Sequence, residues 1–265
     1  PLVAGSGLRF HVAPGTSTWK TLTGNLTNAF ENLRNAARHG HAHGAGGYLI
    51  TNWGDLGHHQ TWPLSLPGLA RGAALAWSVE ANSSTDIASA LRTFVLKDST
   101  GKLTEALIRV GHLGSGLGDD AADLPERLFR IFFSPNANLS HHIGQLCPDS
   151  LDQITAELED IRALADSSGP VEKEDYRVQR ELLLSIDMAR FAANRGRAWL
   201  EEIEGGGNPD SRSGLRASLQ DLIGRFESVW LDRNRPGGLH DSSTRMRNVL
   251  PELGPGPASI DYNPS

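Results

Sequence analysis

The run Gly46-Gly47-Tyr48-Leu49-Ile50-Thr51-Asn52-Trp53-Gly54-Asp55 constrains this chain more than any other stretch. Tyr48 to Thr51 is a short β-prone run, mostly apolar, and it ends abruptly in a Trp, a Gly and a carboxylate. A buried parallel strand reads as just such a continuous run, and α/β barrels place their chemistry just past the C-terminal ends of their strands. The pattern predicts a strand that delivers an aromatic ring and an acid to the mouth of a barrel. A flat ring beside a fixed carboxylate suits a sugar, because the ring packs on the C–H face while the carboxylate accepts bonds from hydroxyls. The bland alternative is a strand-end Trp that caps a core beside a Gly-Asp turn.

The flanking residues extend the pattern. Leu8 to Ala13 alternates in character and reads as an earlier strand, stopped by Pro14-Gly15. After the loop Thr16-Ser17-Thr18-Trp19, residues Leu22, Leu26, Ala29, Phe30, Leu33, Ala36 and Ala37 recur at helical spacing, and Gly40 and Gly44 close the segment. A second helix is expected over Leu66 to Ser78. The order strand, helix, strand, helix leaves connections long enough for parallel crossovers.

Three segments carry a family resemblance: Arg9-Phe10-His11-Val12-Ala13-Pro14-Gly15-Thr16-Ser17-Thr18-Trp19, Asn28 to Ala37, and Gly47 to Asp55. Together they resemble the last two βα units of glycoside hydrolase family 20, the β-N-acetylhexosaminidases. Ala73-Ala74-Leu75-Ala76-Trp77-Ser78 is similar to the closing helix of that barrel. Val229-Trp230-Leu231-Asp232-Arg233-Asn234-Arg235-Pro236-Gly237-Gly238-Leu239 resembles the C-terminal helical region of bacterial members. Two positions depart from those relatives: Asn52 stands where they usually carry an acid, and His59 where they carry Trp.

The resemblance implies an exo-acting, retaining glycosidase in which the substrate's own 2-acetamido oxygen attacks the anomeric carbon. It implies that Trp53 forms a wall of the pocket and that Asp55 binds the outer hydroxyls, with Trp19 lining the same pocket. Asn52 and His58 complete the candidate substrate contacts. The family's catalytic Asp-Glu pair has no counterpart here. Asp119-Asp120 reads as the start of a helix and Glu201-Glu202 as a solvated helix face. The chain therefore reads as the C-terminal piece of a longer enzyme, with the pair upstream of Pro1. Two rival readings stay open: another barrel glycosidase, and a non-catalytic sugar-binding or scaffold protein.

Composition narrows the partners. A formal charge of −6 argues against a polyanion, since nucleic-acid binding needs a basic footprint. No apolar run is long enough to span a bilayer. The single cysteine, Cys147, excludes an internal disulfide framework and reads as a small buried residue. Ten histidines invite a metal reading. However, His39, His41 and His43 point to different faces of a helix, and His58-His59 and His141-His142 are adjacent pairs unsuited to sharing an ion. No metal and no cofactor are called for; localisation and oligomeric state are left open.

Beyond Ser83 strand signals nearly vanish. Helices are expected from Ser84 or Thr85 to Leu96, around Leu103 to Val110 and Leu124 to Phe132, and from Pro148 to Leu164. Others follow over Tyr176 to Leu200, Leu215 to Trp230 and Asp241 to Val249. Trp199 and Trp230 sit on apolar stripes and read as core. The whole is expected as an α/β chain: residues 1–82 forming the end of a TIM barrel, 83–253 a helical bundle packed on it, and 254–265 a loose Pro- and Gly-rich tail.

Overall fold

In the computed structural model, which describes residues 2–114, 126–143, 148–169, 173–206 and 209–254, the helical stripes become helices but the two β-prone runs do not become a sheet. Helix α1 (Leu2–Gly5) is a single turn. Helices α2 (Leu26–Ala42) and α3 (Leu66–Trp77) follow, then α4 (Ile87–Ala90), α5 (Lys102–His112), α6 (Arg127–Phe133) and α7 (Asn136–Ile143). The long helices are α8 (Pro148–Asp166), α9 (Lys173–Ile203) and α10 (Pro209–Arg233); α11 (Leu239–Arg247) closes the series. Asn25 caps α2 by accepting from the backbone N–H of Asn28. Asp86, rather than Ser84 or Thr85, caps α4, and the expected helix to Leu96 gives way to a π turn over Leu91–Val95. Asp119, Asp120, Cys147 and the tail from 255 onward lie outside the described residues.

The expected α/β barrel portion is absent. Among the described residues the chain is helical, and the two extended segments meet only in isolated parallel bridges, Val12 with Tyr48 and Gly15 with Thr51. The pairing is regular up to Val12, whose N–H donates to Gly47 O at 3.0 Å and whose carbonyl accepts from Leu49 N at 2.9 Å. The next bond of such a ladder would run from position 14 to Leu49 O. Proline has no N–H to give. Pairing resumes past Pro14, with Thr51 N donating to Pro14 O and Thr16 N to Thr51 O. A two-segment ladder interrupted at its centre, with no third segment beside it among the described residues, is too short to count as a sheet. A barrel needs a closed ring of strands, so this finding overturns the TIM-barrel assignment for residues 1–82.

What the sequence order did deliver is the local arrangement: two extended segments side by side and parallel, with α2 between them in the chain. Tyr48 ties the second segment to α2 by donating its hydroxyl to Leu33 O at 2.9 Å. Leu26, Ala29, Leu33 and Ala37 of α2 pack on Leu75 of α3, and Phe30, Tyr48 and Ile50 lie against them. The larger core joins α5 through α10 and reaches back to Leu22 and Leu64. Helix α9 runs through its middle. Its Arg195 is 2% exposed and donates to Ile131 O, Phe132 O, Ser134 O and Asn136 Oδ1 at 2.8–2.9 Å. The guanidinium thus satisfies carbonyls left open where α6 ends. Burial pushes its pKa down to about 10.

Candidate functional site

Two loops leave the same end of the parallel pair, residues 16–24 after the first segment and 52–62 after the second. Asn52 fastens them together. Its Oδ1 accepts from Thr16 Oγ1 at 3.1 Å and Thr18 Oγ1 at 2.9 Å, and its Nδ2 donates to Ser65 Oγ at 3.0 Å. Thr16, Thr18 and Ser65 are buried, and their three hydroxyls converge on one amide. Glu126 holds the first loop from the other side. Its carboxylate accepts from Leu22 N and Thr23 Oγ1, both at 2.6 Å, and its own N–H donates to Lys20 O at 2.9 Å.

The backbone of these loops is unusual. Four non-glycine residues among those described have left-handed φ, and three are here: Ser17 at 54°, Lys20 at 57° and Leu56 at 60°. Such conformations are sparsely populated for L-residues and persist where surrounding contacts over-determine them, often at ligand sites. For Ser17 those contacts are Asn25 N donating to its carbonyl and Asn28 Nδ2 donating to its hydroxyl. Trp19 turns the Cη2–Cζ3 edge of its ring to Gly15, where a Cβ would sit 2.4 Å from the ring.

At the surface the loops present Trp53, 56% exposed, followed by Asp55. The carboxylate of Asp55 faces the ammonium of Lys20 at 3.4 Å, and both groups stay partly open to solvent. The second loop thus offers solvent an aromatic ring and, two residues on, a carboxylate paired with an ammonium. It can accept and donate hydrogen bonds to a hydroxylated ligand while an apolar face stacks on the indole.

No protein-family model matches this chain, and no curated protein matches it.

The second loop continues against the helical region. His58 N donates to Ser242 Oγ at 3.1 Å, and His59 Nε2 pairs with Ser242 O at 3.0 Å. The His58 ring lies against Gly54 and edge-on to Trp230, centroids 6.1 Å apart; burial lowers its pKa. His59 is fully buried among Phe129, Phe133 and Phe226, and desolvation lowers its pKa to about 4. Gln60 donates its amide to Trp53 O and so ties Trp53's backbone to this buried layer. A small pocket of about 70 Å³ opens between residues 58–62, α9 and α10, lined among others by His58, Trp62, Glu181, Trp230 and Arg233. Through His58 the second loop therefore meets the late resembling segment at Trp230.

Of the sequence-derived contacts, Trp53 and Asp55 both reach the surface. Asn52 is committed to the hydroxyl network beneath them, Trp19 to Gly15, and His58 to Gly54 and Trp230. Trp230 is partly buried against the core and donates its indole N–H to Arg235 O at 2.8 Å. Lys20, Ser65 and Glu126 were not legible as site residues. Lys20 had only its adjacency to Trp19 to mark it, and Glu126 reaches the loop from more than 100 positions away. Among the described residues no group of three or more His, Cys, Asp or Glu is placed to hold a metal ion. None of their helices is long and apolar enough to cross a membrane.

Proposed function

We propose that this chain forms the sugar-holding part of a glycoside hydrolase of the β-N-acetylhexosaminidase kind. In this reading Trp53 is the platform for the terminal N-acetylhexosamine and Asp55 accepts its outer hydroxyls. The supporting observation is the convergence of the Trp19-Lys20 and Trp53-Asp55 loops at one end of the parallel pair, braced from below by Asn52 and Glu126. The edge-on contact of His58 with Trp230, which sets the late resembling segment against the same loop, supports it further. The chain offers no counterpart of the family's Asp-Glu pair. The reading therefore assigns it substrate binding in the acetamido-assisted reaction and assigns none of its residues the role of the acid.

A direct test is an NMR titration of the 265-residue protein with methyl N-acetyl-β-glucosaminide. The wild type is expected to show saturable shifts centred on Trp53, and Trp53→Ala to lose them. An indole that buries even 100 Å² against a sugar gains about 2 kcal/mol, near thirtyfold in affinity. A parallel assay with a chromogenic aryl N-acetylglucosaminide is expected to give no turnover. Equal binding by wild type and Trp53→Ala, or robust turnover by the chain alone, refutes the assignment.

A further inference from the structure

We infer that Lys20 is a specificity-determining residue, and that Lys20 and Asp55 act as a pair that reads two adjacent hydroxyls of the bound sugar. The inference rests on the sugar-binding reading above and adds to it a residue that the resemblance does not supply.

The ion pair is loose. At 3.4 Å, with side-chain exposures of 24% and 42%, it satisfies only a fraction of what the two groups can do. An ammonium carries three donors and a carboxylate about four acceptor sites. Among the described residues no further hydrogen bond engages either head group. The loops here are already riveted through Asn52 and Glu126, so the pair is free for a ligand.

The backbone says the same. Lys20 holds a left-handed φ of 57° and Leu56, next to Asp55, one of 60°. The left-handed turn at Lys20 sets the direction in which its own side chain leaves the backbone. Lys20 is kept there by its carbonyl, which accepts the N–H of Glu126. Neighbouring equatorial hydroxyls of a pyranose lie about one hydrogen-bond length apart, which matches the spacing of ammonium and carboxylate. One hydroxyl donates to Asp55 and its neighbour accepts from Lys20. The ring beyond them rests on Trp53. The ligand class is a neutral hexosamine with a vicinal diol on the edge facing this pair.

The test compares methyl N-acetyl-β-glucosaminide with its 3-deoxy, 4-deoxy and 6-deoxy forms on wild type, Lys20→Met, Lys20→Arg, Asp55→Asn and Trp53→Ala, by NMR titration. Lys20→Met is expected to bind the parent sugar about tenfold more weakly, in line with one charge-assisted bond at a partly exposed site. It should bind one of the deoxy sugars as well as the wild type does, because the bond it lost is one that sugar never made. Lys20→Arg, which keeps the charge, should recover most of the loss. A merely structural Lys20 would weaken parent and deoxy sugars alike. Uniform loss, or binding within twofold of wild type, overturns the inference while leaving Trp53 in place. If the wild type binds none of these sugars, the sugar-binding reading fails and takes this inference with it.

Discussion

Replacing Asn52 with Ala separates two roles that this residue can play. Its amide receives the Thr16 and Thr18 hydroxyls and reaches Ser65, three bonds of 2.9–3.1 Å. Each typical bond contributes about 0.5–1.5 kcal/mol, and a buried hydroxyl left without a partner costs about 1–3. The loss is softened because Thr16 and Thr18 lie 3.1 Å apart and Thr18 and Ser65 3.3 Å apart, so the hydroxyls can pair among themselves. Asn52 is also open to solvent on one side, so water can replace part of what is removed. A net cost of about 1–2 kcal/mol follows, or about 2–8 °C in Tm for a chain of this size. Thermal unfolding followed by circular dichroism measures it, and Asn52→Asp should recover part of the loss, because a carboxylate can accept from all three hydroxyls. Sugar affinity should fall only in step with the loosening of Trp53. If Tm stays within about 1 °C of wild type while affinity drops more than tenfold, Asn52 is a direct ligand and the brace argument is wrong.

Three further outcomes follow from the packing. The pKa of His59 in the fold is about 4 against an ordinary 6.5, so its neutral form is favoured by folding. The corresponding stability is intact above pH 6.5, is lost as the pH falls toward 4, and levels off below that. The loss is about 3 kcal/mol, and His59→Phe should flatten that part of the denaturant-derived stability profile; an unchanged slope refutes the assignment. Arg195→Met removes four bonds to the end of α6 and should cost about 3–5 kcal/mol, visible as a shift in urea midpoint with little change in m; a shift below 1 kcal/mol would show that water replaces the guanidinium. Gly15→Ala puts a methyl where the Trp19 ring lies, so Trp19 should swing outward and its fluorescence shift to the red, whereas an unaltered spectrum would mean that the backbone yields instead.

The helices were legible because their information is local. Leu26, Ala29, Leu33 and Ala37 fall on one face at helical spacing, and the same residues, with Gly40, are the ones buried in α2. The stripes around Leu103 to Val110 and Leu215 to Trp230 likewise became α5 and α10. Even the parallel pairing of the Val12 and Tyr48 segments follows from their order around α2. What the residues could not state is how many neighbours that pair has. A strand run looks the same whether it sits inside a closed sheet or beside one partner, and here Pro14 interrupts the single ladder that forms. The site divides in the same way. Trp53 and Asp55 were visible because both sit in one short motif. Asn52's commitment to Thr16, Thr18 and Ser65, the bracing by Glu126, the partnership of Lys20 with Asp55 and the meeting of His58 with Trp230 join positions from 13 to more than 170 residues apart. Only the packing of the helical region against the two loops decides contacts of that kind, since they come from chain segments whose separation carries no periodic signal.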